Sequence, residues 1–66
     1  MSTKMRRNKL TLWLRGRGPT TVSEAADRFD VSERTIFRDL AALRGRGVRV
    51  LGDPGRGGGI WLRKAA

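Results

Sequence analysis

Sixty-six residues suffice for one small domain, and a chain of this length buries only about 60% of its unfolded surface on folding, so its core is thin. Fifteen Lys and Arg against six Asp and Glu give a formal net charge of +9, a field that attracts polyanions before any specific contact forms. The absence of Cys and His excludes disulfides, thiolate and imidazole metal sites, and Ser/His/Asp or Cys/His triads, so no catalysis, cofactor or metal is expected. No apolar run approaches the roughly 20 residues of a membrane span, and the basic start Met1–Leu10 lacks the apolar stretch of a signal peptide, which makes the cytoplasm the expected compartment.

In chain order, Leu10, Trp13 and Leu14 have the i, i+3, i+4 spacing of one helix face, predicting helix 1 over about 3–15 with Trp13 in the core. Lys4, Arg6 and Arg7 put the wrong sign at the positive end of the helix dipole, so this N-terminus is expected to fray. The first "LRGRG", Leu14 to Gly18, has basic residues and a glycine suited to a helix end, with Pro19 beyond. Thr21 to Glu24 has the capping-box spacing and opens helix 2, about 22–29, whose Val22, Ala25, Ala26 and Phe29 share a face.

Asp30 and Ser32 both suit an N-cap for helix 3; Ser32 places Val31 and Ile36 as a hydrophobic staple and Glu33 in the first turn, and is preferred. Helix 3 then runs over about 33–44, with Ile36, Leu40 and Leu43 on its buried face, and the second "LRGRG", Leu43 to Gly47, ends it. Beyond Gly47 the period changes from 3.6 to 2. Val48 and Val50 alternate with Arg49, and Ile60 and Leu62 with Trp61 and Arg63, predicting a hairpin over about 48–63 around the "DPGRGGG" loop. Each Arg/Gly cluster thus falls where turn geometry calls for glycine, which argues for punctuation in a fold and against a disordered RNA-coating segment.

The fold class expected is therefore mainly α with a β-hairpin wing: a winged helix-turn-helix of three helices plus a two-stranded wing, forming a single domain over 1–66. In that order of elements the third helix enters the DNA major groove and the wing reaches backbone or minor groove. With Ile36, Leu40 and Leu43 buried, helix 3 presents Arg34, Arg38 and Ala41, flanked by Phe37 and Thr35. Arg34 and Arg38 suit bidentate contact with guanine, Ser32 and Thr35 suit a phosphate, and Arg56 near the wing tip suits a narrow minor groove. Thr20, Thr21, Arg44 and Arg46 are candidates for further phosphate contacts.

"VSERTIFRDLAALRGRGVRV" and "GDPGRGGGIWL" resemble the N-terminal winged helix-turn-helix of bacterial WYL-domain and DeoR-type transcription regulators, in which a Val-Ser-x-x-Thr-hydrophobic-x-Arg-Asp-hydrophobic motif opens the recognition helix. The resemblance covers about Leu10 to Arg63. It implies sequence-specific binding to double-stranded DNA through Ser32, Arg34, Thr35, Phe37 and Arg38, with Arg56 on the wing. Phe37 stands where relatives often carry Tyr, and Trp61 where a polar or basic residue is common. The family also implies an effector-binding domain after the wing, which these 66 residues do not include. The expectation is either a piece of a longer regulator or a free-standing binder that dimerises, as a homodimer on two half-sites, or recruits a partner differently.

Blander readings stand beside these. Arg34 and Arg38 could form a solvated charged face, and Asp39 is expected to be an ion-pair or capping partner of Arg28. Trp61 points away from Ile60 and Leu62, and either covers a core edge or forms an exposed apolar spot marking a partner surface. The glycine-rich loop lacks the Lys-Ser or Lys-Thr of a nucleotide-binding loop, and no small-molecule ligand is expected. After duplex DNA, the alternatives in order are an RNA-binding winged helix or non-specific architectural binder, a protein-interaction winged helix, and last an enzyme.

Overall fold

Helix α1 spans Thr3–Arg17. In this computed structural model, which describes residues 2–52 and 59–63, its first turn carries an N-cap: the Ser2 hydroxyl accepts from the Met5 amide at 3.1 Å. The helix passes two residues beyond the expected end because Gly16 continues it, and Gly18, at φ 81°, turns the chain. The backbone reason is Pro19, which disfavours α geometry only at the residue directly before it. The second Arg/Gly cluster repeats the pattern, with Gly45 inside α3 and Gly47 at φ 90°.

Helix α2, Val22–Phe29, opens on Thr21, whose hydroxyl accepts from the Glu24 amide at 3.1 Å. The reciprocal half of the expected capping box is replaced. The Glu24 carboxylate accepts instead from the Thr20 hydroxyl at 2.8 Å and from Arg17 at 2.6 Å. Asp30 closes α2 in the left-handed conformation, φ 54°, which short polar side chains tolerate better than most. Only Val31 and Ser32 then separate it from α3, Glu33–Gly45, whose N-cap is Ser32, with its hydroxyl 3.1 Å from the Thr35 amide.

Strands β1, Val50–Gly52, and β2, Ile60–Leu62, pair antiparallel in the register Val50 with Leu62, Leu51 with Trp61, and Gly52 with Ile60. On its other side β2 is bridged by Thr20, whose N–H donates to the Ile60 carbonyl at 2.9 Å and whose carbonyl accepts from the Ile60 amide at 2.6 Å. Gly52, at φ 106°, is a required glycine: a Cβ there would run into the Gly59 carbonyl. The loop residues 53–58, Arg56 among them, lie outside the described residues.

The core joins all elements: Leu10 and Leu14 of α1, Val22, Ala25 and Ala26 of α2, Ile36, Leu40 and Leu43 of α3, and Val50 and Ile60 of the hairpin. The small alanines of α2 let α3 pack closely. Trp13, expected in the core, lies at its edge, half-buried, its ring 5.8 Å from and at 89° to that of Phe29.

Candidate nucleic-acid interface

Burial of Ile36, Leu40 and Leu43 decides which way α3 faces. The opposite row holds Arg34, Arg38 and Ala41 at i, i+4 and i+7, all exposed, and Phe37 beside them is 40% exposed. Neither Arg34 nor Arg38 makes an ion pair among the described residues, so both guanidinium groups keep their donors for a partner. The row narrows from arginine to alanine along the helix, leaving room for a surface to approach the middle of α3.

At the N-terminal end of this face, the hydroxyls of Ser32 and Thr35 lie 3.0 Å apart, and Ser32 also holds the Thr35 amide. Five of the expected site residues, Ser32, Arg34, Thr35, Phe37 and Arg38, are thereby brought onto one stretch of α3. The remaining candidates separate. Thr20 is a correction: it is 4% exposed and its hydroxyl is donated to Glu24, so its place is structural rather than at a phosphate. Thr21 is half-buried at the start of α2. Arg44 turns its guanidinium toward the Val50 carbonyl at 3.3–3.4 Å, across the outer edge of β1, while Arg46 is exposed at the C-cap. Both lie at the far end of a 13-residue helix, roughly 20 Å from Ser32, and so cannot share a phosphate with it.

The residue that holds α3 in this orientation is Asp39, expected as an ion-pair or capping residue but with a different partner. Asp39 is fully buried and pairs with two arginines of α1, Arg6 through two hydrogen bonds at 2.6 and 2.8 Å and Arg7 through one at 2.9 Å. Arg28, its expected partner, lies instead over the Phe29 ring at 5.3 Å. Burial by itself would raise the Asp39 carboxyl, but the hydrogen bonds from Arg6 and then Arg7, with their charges, outweigh it and hold the group below the ordinary aspartate value. The same hydrogen bond raises Arg6 above its ordinary value. A signal existed: Asp39 is i+3 from Ile36 and i−4 from Leu43, which puts a carboxylate on the buried face next to a helix whose first turn is basic. The Arg6 and Arg7 charges expected to fray α1 are those that the buried carboxylate requires.

A short connection between two packed helices, a basic exposed face on the second, and a hairpin following it define a helix-turn-helix type of nucleic-acid-binding module. The family model for an HTH domain matches residues 6–60, and the chain belongs to that family. Neither a curated protein nor a solved structure matches it. HTH domains bind DNA and are not catalysts; among the described residues no group of three or more acidic, His or Cys side chains could hold a metal ion.

Proposed function

We propose that this chain is the double-stranded DNA-binding module of a bacterial transcription regulator, a winged helix-turn-helix whose α3 lies in the major groove while the hairpin meets backbone or minor groove. The observation that carries the reading is the outer face of α3, where Arg34 and Arg38 are exposed, aligned and without an ion pair among the described residues. In this reading both arginines donate to guanine O6 and N7, Phe37 packs against a thymine methyl, and Ser32 and Thr35 hold a phosphate at the helix N-terminus. Thr21 and Arg46 add backbone contacts, and Arg56 serves the wing tip.

The "VSERTIFRDL" and "GDPGRGGGIWL" motifs support a WYL-domain or DeoR-type regulator, acting at the nucleoid in the cytoplasm. A single module covers roughly 600–1,000 Å² of its own surface, too little for high specificity alone, which favours two half-sites bound by a homodimer or by copies joined through an effector domain. Selection from a random duplex DNA pool at near-physiological salt, with structured RNA as competitor, tests the reading. Enrichment of one or two half-sites supports it, and their spacing reports the dimer geometry. Enrichment of RNA, or binding without a motif, replaces it by an RNA-binding or architectural module.

A further inference from the structure

The hairpin turns a second surface outward, separate from the basic face of α3. Leu51 and Trp61 face each other across the ladder on the side opposite the buried Val50 and Ile60, and Trp61 is 39% exposed. With Pro19 and Val48 they line an open groove of about 1150 Å³ that reaches the C-terminal end of α1. This slightly exceeds the range of small-molecule pockets, roughly 300–1,000 Å³. Arg15, Arg49 and Arg63 also line it; among the described residues no carboxylate does, and none of the three makes an ion pair.

Floor and rim together select the occupant. Exposed Trp beside Leu and Pro is the composition of surfaces that gain most from being covered, and Trp and Arg are the residue types that dominate binding energy at interfaces. Guanidinium groups around such a floor fit carboxylates, which they hold bidentately. A second copy docking through the same face would set arginine against arginine in a chain of charge +9. Single-stranded nucleic acid would satisfy the arginines, but the floor offers it one aromatic ring among aliphatic side chains, whereas stacking platforms present successive aromatics. We propose that this groove docks an acidic amphipathic segment of a partner protein, its apolar side chains over Trp61 and Leu51 and its carboxylates on Arg15, Arg49 and Arg63.

The test titrates the isotope-labelled 66-residue chain with a Leu/Glu peptide patterned at helical i, i+3, i+4 spacing, a scrambled peptide of the same composition, and oligo-dT. The patterned peptide is expected to shift the Trp61 indole N–H, identified by its loss in Trp61→Phe, together with the Leu51 and Arg49 amides. It should bind about tenfold more tightly than the scrambled one, and Trp61→Ala and Arg49→Glu should each weaken it about tenfold, with melting temperatures held near wild type as the check on folding. Equal binding of both peptides, shifts centred on Arg34 and Arg38, or tighter binding of oligo-dT through the Trp61 indole would each overturn the proposal.

Discussion

Helix α3 meets arginines on two sides, and the two pairs have opposite fates. Arg6 and Arg7 reach its inner side and close on the buried Asp39, with side chains 15% and 25% exposed. Arg34 and Arg38 project from its outer side, exposed and unpaired among the described residues. The net charge of +9 is therefore not a uniform coat: part of the positive charge is neutralised inside the fold, where it holds α3 against α1, and part is left for a polyanion. Desolvation makes the difference. A carboxylate removed from water demands its counter-ions, while an arginine in water makes no such demand of the fold.

The largest effect that could break this comparison is on stability. Asp39→Asn keeps the shape but leaves two partly buried guanidinium groups without a counter-ion, and should cost about 3 kcal/mol. At roughly 4–8 °C per kcal/mol for a domain of this size, thermal melting followed by circular dichroism should move down by at least about 12 °C. Arg38→Ala should change stability by no more than about 0.5 kcal/mol. Comparable melting shifts for the two variants would erase the distinction between inner and outer arginines. The pH dependence sharpens it. Because the native Asp39 carboxyl titrates below its unfolded value of about 3.9, its contribution is fully present above that value and is lost as pH falls through the lowered native one. The stability gap between wild type and Asp39→Asn should therefore close in acid.

Next in size is the response of DNA binding to salt. If about four phosphates are neutralised, the log-log slope lies near −3.6 and affinity falls on the order of a hundredfold between 50 and 200 mM salt. A flat response, read by fluorescence anisotropy, would rule out the electrostatic mechanism of binding. Arg38→Ala should then cost about 1–3 kcal/mol on the selected site and much less on random DNA. Equal losses on both would make Arg38 a phosphate contact instead of a base reader. Smallest is the cap between the two regions: Ser32→Ala should cost about 1 kcal/mol of stability, measured by denaturant unfolding, because the Thr35 amide loses its acceptor.

Much of the helical framework was legible because its determinants lie within a few residues of one another. Thr21 and Ser32 cap the helices they were expected to cap, and the stack of Ile36, Leu40 and Leu43 is buried. The outer row of Arg34 and Arg38 follows from that stack by helical geometry alone. Legibility failed where a side chain had two local options or a distant partner. Glu24 fits a capping box by spacing, yet Thr20 and Arg17 offer it a hydroxyl and a charge, and together they draw its carboxyl below the ordinary value. Thr20 reads as an exposed loop threonine until Ile60, forty positions along, takes both its backbone groups and buries it. Arg44, expected as a phosphate contact, also reaches the Val50 carbonyl at the β1 edge, a neighbour that no local spacing announces.

By itself the sequence determined where helices begin, where glycine turns the chain, which face of α3 is apolar, and that the molecule carries a surplus of positive charge. Those properties depend on spacing, capping and composition, all of which act at short range along the chain. Tertiary structure alone decided that Asp39 is the anchor for Arg6 and Arg7, that β2 lies between Thr20 and β1, and that Leu51 and Trp61 form an outward apolar pair. Each of those joins groups ten to forty residues apart, and which distant groups meet is settled only when the core closes and buried polar atoms must find partners.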